Sequence, residues 1–446
     1  MTQAATEPPS ASAGSAGSAG SPASAGSPAN PDAWPPTSAP LTGGNQVRLL
    51  AGGDELFPAM CQAIAGARQR VWLATYIFHD DPAAEAVAQA LGDAARRGVQ
   101  VGVVVDGFGS KATLPALRRW LGDAGVQLVV FRPLDRWWRV LHPGQLRRLH
   151  QKLCVVDDEF GFVGGINIID DRHDLNHGWT EHPRLDFAVA VQGPVVAQMA
   201  QAARAMHTRA HLGADWREEA LQLARSAEPV ARVRRILARL KLRQLVPIAA
   251  TASLAPVRAA FLVRDNLSQR RAIEQAYIEA IGQARQRLVL VCPYFYPGRL
   301  FRRALRQAAL RGVQVRLLLQ GKADYRFAAL AAQVLYDEML ASGVRVFEYM
   351  PAFLHAKVAV IDDDWATVGS SNIDPLSLLL NLEANLIVRD QAFTAQLALQ
   401  VETGFQDARE VLRPPVAAGW SAVLQRGFVA WAAHWLLRLA GLNGRY

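Results

Sequence analysis

Two similar α/β halves closing on one shared site is the architecture the sequence predicts, each half a mixed, mostly parallel sheet flanked by helices. Three observations predict it. The chain has 446 residues, more than one hydrophobic core usually serves, so two domains or a duplicated unit is expected. Stretches of the first part return in the second: "AIAGARQRVWL" (Ala63–Leu73) as "AIGQARQRLVL" (Ala280–Leu290), "AARRGVQVGVVV" as "AALRGVQVRLLL", and "AGVQLVVF" (Ala124–Phe131) as "SGVRVFEY" (Ser342–Tyr349). Near-continuous Val/Leu/Ile runs alternate with helical stretches, as in sheets covered on both faces.

In chain order, residues 1–44 are a Pro/Ala/Gly/Ser tract with Glu7 and Asp32 as its charged side chains. Such a tract buries too little apolar surface to offset its ordering entropy and reads as a disordered tail. Residues 45–215 form the first half, in which Gly98 closes a helix and leads into a strand, as Gly312 does in the second. The uncharged run Phe187–Ala203 is divided by Gly193-Pro194 into a strand and a following helix. Between Phe131 and His150 the first half carries an insertion, "RPLDRWWRVLHPGQLRRLH", absent from the second. Its Trp137, Trp138 and Arg139 interleave aromatic and basic side chains, which suits lipid headgroups or stacked bases, unless the loop packs its aromatics locally.

Residues 216–260 are a basic linker containing "RVRRILARLKLRQLV", an amphipathic stretch that reads as a surface helix or a membrane-surface helix. Residues 261–415 are the second half. Residues 416–446 end in "LQRGFVAWAAHWLLRLAGLNGRY", too short an apolar run to span a bilayer, with Trp431 and Trp435 placed for a headgroup boundary or for docking on the core. No run of ~20 apolar residues and no secretory signal is visible, so a soluble or membrane-surface protein is expected. The formal charge of +9 favours a polyanionic partner, nucleic acid or anionic membrane. Cys61, Cys154 and Cys292 include no CxxC pair, and the last two lie in strand-like runs as buried core thiols.

The chemistry lies in a second repeat. "LHQKLCVVDDEFGFVGGIN" (Leu149–Asn167) and "LHAKVAVIDDDWATVGSSN" (Leu354–Asn372) share His, Lys, Asp, Gly and Asn at identical spacing. Alternation places His150 with Lys152, and His355 with Lys357, on one strand face, while Asp157 and Asp362 lie at the far end, leading into a turn. Lys152, Lys357, Asn167 and Asn372 suit the non-bridging oxygens of a phosphodiester. Gly164-Gly165 and Gly369-Ser370 allow a ligand close to the backbone, and Ser370 joins the phosphate-binding candidates. Two histidines can act as nucleophile and general acid, which explains why the motif occurs twice around one site. Asp186 and Glu383, at equivalent strand starts, are candidates to orient the imidazoles. Lysine at the centre argues against a metal, and no metal or other cofactor is expected there. "DDRHDLNHGWTEH" (Asp170–His182) reads as a polar rim loop, with a metal-binding cluster as the alternative.

These motifs resemble the phospholipase D superfamily, whose hallmark is the duplicated H-x-K-x4-D followed by Gly-[Gly/Ser]-x-Asn. Within it, "VVVDGFGS", "LVRDN", "PYFYPG", "VQGPVV" and the stretch from Val346 to Asn385 look like the bacterial cardiolipin synthases of the B type. The resemblance spans about residues 46 to 415 and implies metal-independent transfer of a phosphatidyl group between phospholipids, with phosphatidylglycerol as donor and acceptor. It implies a covalent phosphatidyl-histidine, with His150 and His355 as the catalytic pair, Lys152 and Lys357 on the phosphate, Asp157 and Asp362 supporting them, and His150 favoured as nucleophile. The expected partners are phospholipid substrates and an anionic membrane surface rather than nucleic acid, at the cytoplasmic face of a bacterial inner membrane. Hydrolysis of phospholipid or nucleic-acid phosphodiesters by the same chemistry is the alternative. Gln151 departs from the basic residue often found after the first motif's histidine.

Overall fold

Strands and helices alternate in the order the repeat predicts. The computed structural model describes residues 41–133, 147–214, 257–265, 269–322, 336–374, 377 and 381–412. Residues 134–146 of the Trp/Arg insertion, the Arg232–Val246 stretch, the C-terminal Trp431 and Trp435 and all but the last residues of the N-terminal tract lie outside them. The first half runs β1 (Thr42–Ala51), α1 (Gly52–Ala65), β2 (Arg70–Thr75), α2 (Pro82–Arg96), β3 (Gln100–Asp106), α3 (Leu114–Gly122), β4 (Gln127–Phe131), β5 (Leu153–Val156), β6 (Phe160–Gly164), a hairpin of β7 (His173–Asp174) and β8 (Gly178–Trp179), β9 (Phe187–Gln192) and α4 (Val196–Ala214). The second repeats it as β10 (Val257–Arg264), α5 (Ala272–Gln283), β11 (Arg287–Cys292), α6 (Arg299–Leu310), β12 (Gln314–Gln320), β13 (Arg345–Tyr349), β14 (Val358–Ile361), β15 (Trp365–Gly369), β16 (Glu383–Arg389), α7 (Gln391–Gln406) and an edge strand β17 (Ala408–Glu410). β1 and β10 each start a few residues ahead of the boundaries drawn from composition, because the apolar alternation there is too short to stand out from its flank.

All strands but the separate β7–β8 hairpin form one mixed sheet ordered β17-β13-β12-β11-β14-β15-β16-β10-β1-β9-β6-β5-β2-β3-β4, joined at its middle where β1 pairs with β10. The expectation of mostly parallel pairing is corrected. Parallel pairs are confined to β2–β3–β4 and β11–β12–β13, whose crossovers hold helices. The neighbours β2–β5–β6–β9–β1 and their counterparts β11–β14–β15–β16–β10 are antiparallel, because a tight turn such as the one after Val156 can only reverse the chain. Apolar content alone does not distinguish the two pairings when both faces are covered.

Helix ends follow local chemistry. Asp81 caps α2, its side chain accepting from Ala84 N, with Pro82 at the first helical position. Gly98 and Gly312 leave their helices at φ 89° and 91°, a left-handed conformation costly for a side chain with Cβ. Along β5, Leu153 and Val155 point into a central core shared with Val358, Val368 and Leu386 of the other half, and with Met199 of α4 and Leu397 of α7. Cys154 and Val156 point the opposite way, onto Ile64, Leu91 and Leu117 of the outer helices. The second half repeats that outer layer with Ile281, Phe301 and Leu305. Cys154 and Cys292 are buried, as read from sequence, while Cys61 is partly exposed.

Candidate active site

Each motif histidine precedes its strand rather than sitting within it, because the chain there pairs with the opposite half. His150 N donates to Leu382 O at 3.0 Å, and Leu382 N donates to Arg148 O at 2.9 Å. Across the pseudo-two-fold axis, His355 N donates to Leu185 O at 2.9 Å and Leu185 N to Phe353 O at 3.0 Å. Leu149 thus bridges Leu382 and Leu354 bridges Leu185, so each histidine stands beside the first residue after its partner leucine in the other half. Those residues are Glu383 and Asp186. His150 Nδ1 lies 3.0 Å from Glu383 Oε2, and His355 Nδ1 lies 2.6 Å from Asp186 Oδ2. Sequence singled out both carboxylates but not the crossing: each half supplies the carboxylate for the other half's imidazole.

The lysines gather at the same seam. Lys152 Nζ donates to His150 O at 2.7 Å, and Lys357 Nζ donates to His355 O. Both ammonium groups are buried, and each lies near enough to the other half to feel its carboxylate. Asn167 Oδ1 accepts from Ile77 N at 3.2 Å, and Asn372 Oδ1 faces Cys292 Sγ at 3.9 Å. With their oxygens turned to their own half, the NH2 groups are what these asparagines can offer an anion.

Three sequence expectations change. Ser370 is fully buried and donates its hydroxyl to Glu383 Oε2 at 2.6 Å, while accepting from Ala384 N at 3.0 Å. It positions the carboxylate instead of binding phosphate. Its repeat position holds Gly165, where a Cβ would fall on Asp186 Oδ1. Asp157 and Asp362 do not reach the histidines. Asp157 accepts from the backbone N–H groups of Arg68, Gln69 and Arg70 at 2.7–2.8 Å, and Asp362 from those of Arg285, Gln286 and Arg287. Seven residues of extended chain, roughly 20 Å, separate each from its histidine. Both adopt positive φ (53° and 51°), so they terminate the motif strand and tie it to the one beside it. Spacing shows that a residue recurs, but not which end of the strand the chemistry uses.

Other side chains at the seam carried weaker signals. Asp106 Oδ2 accepts from Leu149 N at 2.9 Å with Arg148 3.6 Å from its other oxygen, and Gln320 Oε1 accepts from Leu354 N at 2.6 Å. Both end the third strand of their half, so each holds the residue before a motif histidine. A polar residue closing an apolar run at the same repeat position was the available signal. Gln151 is buried and donates to Glu383 O at 3.2 Å, so it ties the two halves at the seam. Tyr76 lies 5.3 Å from the His150 ring and 5.6 Å from Lys152 Nζ.

Burial sets the protonation states. It lowers the pKa of His150 against the pull of Glu383, and lowers that of His355 to about 3 with Lys357 adding to the effect. It lowers Lys152 to about 7 and Lys357 to about 8, against the attraction of the carboxylates. Burial alone would raise Asp186 and Glu383, but the paired histidines and nearby lysines outweigh it and both are lowered. Both imidazoles are therefore neutral near pH 7 and donate Nδ1–H to the carboxylates, leaving Nε2 with its lone pair. The two ammonium groups and the committed Nδ1 atoms make this centre a poor cradle for a divalent ion.

Two H-x-K elements meeting across the seam of a duplicated α/β body define the phospholipase D class. Residues 60–180 and 277–406 match the family described as cardiolipin synthase, PLD-like domain, and the chain belongs to that family. It is 38% identical over 356 residues to the "Cardiolipin synthase B" of Salmonella typhi, covering 79% of each chain. It is 35% identical over 366 residues to the protein of the same name from Escherichia coli (strain K12), again covering 79% of each. The crystal structure of phosphatidylserine synthase from Haemophilus influenzae Rd KW20 shares the fold, with a TM-score of 0.60 at 14% identity over 90% of this chain and 97% of that one.

Proposed function

We propose that this chain is a cardiolipin synthase that transfers a phosphatidyl group from one phosphatidylglycerol to the terminal hydroxyl of another. The observation that carries the proposal is the crossed pair His150–Glu383 and His355–Asp186 in a member of this family. In the first step one Nε2 attacks phosphorus and the bond from phosphorus to the glycerol oxygen breaks. The other histidine, protonated, gives its proton to the departing glycerol. In the second step that histidine takes the proton of the incoming hydroxyl, the new P–O bond forms, and the P–N bond breaks. Two phosphatidylglycerols become one cardiolipin and one glycerol. Lys152, Lys357, Asn167 and Asn372 hold the non-bridging oxygens, and the carboxylates stabilise each imidazolium as it forms. His150 is assigned as the nucleophile on the family resemblance.

The protein is further proposed to work on the surface of an anionic membrane, at the cytoplasmic face of the inner membrane. The basic charge of +9 supports this, and no helix among the described residues is long and apolar enough to cross a bilayer. Trp137, Trp138, Arg139, Trp431 and Trp435 are its proposed contacts.

The test incubates protein with phosphatidylglycerol vesicles in EDTA and follows lipids by mass spectrometry, with His150→Ala and His355→Ala in parallel. Cardiolipin from the wild type and neither variant is expected, with the phosphatidyl adduct mapped to a His150 peptide. Phosphatidic acid without cardiolipin would replace the transferase with a hydrolase. Co-sedimentation with anionic but not neutral vesicles tests the membrane proposal.

A further inference from the structure

We infer a second, non-catalytic site: a transition-metal site of the zinc type formed by His79, Asp81 and His173, separate from the paired motif histidines. His79 Nδ1 lies 3.4 Å and His173 Nδ1 3.7 Å from Asp81 Oδ2. One donor atom from each residue falls within 4.8 Å of the others. The edge of a tetrahedron with metal–ligand bonds of about 2.1 Å is about 3.4 Å, so both contacts have the length expected of two ligands on one ion. Two imidazoles and a carboxylate are a donor set for zinc or a neighbouring divalent metal, not for magnesium or calcium.

An independent observation points to a ligand. Both Nδ1 atoms are buried and neither makes a hydrogen bond of regular geometry, although the half-exposed Asp80 also brings a carboxylate oxygen to 3.3 Å from His79 Nδ1. The rings meet edge to face with centroids 4.5 Å apart, which brings two orphaned nitrogens around one oxygen. That oxygen already accepts from Asp170 N at 2.9 Å, and the other carboxylate oxygen caps α2 through Ala84 N at 2.9 Å. Asp81 is thus fixed on both sides before any ion arrives, and His173 is held by stacking on Trp179, centroids 5.1 Å apart at 6°. One cation would satisfy both nitrogens; water completes its coordination. Of the polar loop Asp170–His182, only His173 belongs to this set, because the other two donors come from the loop after β2.

The ion would join two loops that frame the catalytic seam. Phe78 bridges Ile168, and His79 N donates to Ile168 O at 2.8 Å. The same loops carry Tyr76 and Asn167, so the metal acts as a clip behind the wall of the active site. It takes no part in the transfer.

The test uses full-length protein without a histidine tag, stripped with chelator and titrated with Zn2+ calorimetrically at pH 7.5, with bound metal counted by plasma emission. One ion per chain is expected, with a Kd below about 1 μM and a rise in melting temperature. A hundredfold or greater loss of affinity is expected for His79→Ala and for His173→Ala. If either variant fails to fold, competition of wild type against a chromophoric zinc chelator gives the same affinity. Wild-type binding weaker than about 100 μM, or a folded double variant that binds as tightly as wild type, would overturn the site.

Discussion

The crossed carboxylates can be tested by removing one charge while keeping its shape. Asp186→Asn leaves an isosteric amide facing His355 Nδ1, now 2.6 Å from a carboxylate oxygen. When His355 becomes an imidazolium during transfer, the charge centres lie about 4 Å apart. At an effective dielectric of about 20 their attraction is about 4 kcal/mol, or about a thousandfold in rate. The amide can also present its NH2 to Nδ1 and favour the wrong tautomer, adding to the loss. Glu383→Gln should do the same to His150, since each step of the transfer needs both histidines. The assay is cardiolipin formation from phosphatidylglycerol vesicles at saturating substrate, with circular dichroism to confirm folding. A loss smaller than about tenfold in either folded variant would refute the claim that each half completes the other's imidazole.

Three further outcomes follow from the same geometry. Asp157→Ala removes the acceptor for three backbone N–H groups and should cost about 2–3 kcal/mol of stability, read as a lower melting temperature. Its turnover per folded molecule should stay within a few-fold of wild type, and a thousandfold loss would return Asp157 to the chemistry. Gly165→Ala drives a Cβ onto Asp186 Oδ1 and should lower turnover at least a hundredfold by displacing the partner of His355; unchanged turnover would show the carboxylate is not needed in its place. Lys152 and Lys357, lowered to about 7 and about 8, lose their charge as pH rises through that range. Affinity for sulfate, which does not titrate there, should therefore fall between pH 6 and 9, with proton uptake on binding near pH 8. Their contribution to stability has a definite sign: unfolded lysines titrate near ~10.4, so the unfolded chain holds more protons between pH 7 and 10 and stability from these groups rises across that window. A flat sulfate affinity would count against the buried pair.

Much of this architecture was legible because duplication gives the sequence an internal control. Two copies of His, Lys and Asn at fixed spacing pointed to the candidate site, and Asp186 and Glu383 emerged from their matching places at the starts of β9 and β16. Chain crossing was not legible, since Leu149 pairs with Leu382 through backbone groups that every residue possesses. The direction of β5, β6 and β9 was hidden for a similar reason: Val and Leu fill parallel and antiparallel strands alike when both faces are covered. Ser370 looked like a phosphate ligand because a hydroxyl near a Gly suits an anion, and only packing shows its oxygen committed to Glu383. His79, Asp81 and His173 come from two loops far apart in sequence, and nothing in either loop announces the other.

The carboxylate behind His150 is a glutamate steadied by the Ser370 hydroxyl, whereas the one behind His355 is a shorter aspartate that needs the bare Gly165. Tyr76 stands against His150, while Pro293 occupies the matching place of the other copy. Two identical subunits related by an exact dyad would have to present both histidines in the same surroundings. Fusion into one chain lifts that obligation, so each half can drift as long as the other compensates across the seam. Exchanging the copies wholesale would then misfit by a methylene on one side and a hydroxyl on the other. A site built in duplicate is thus held by two unlike carboxylate supports, each fitted to the half across the seam.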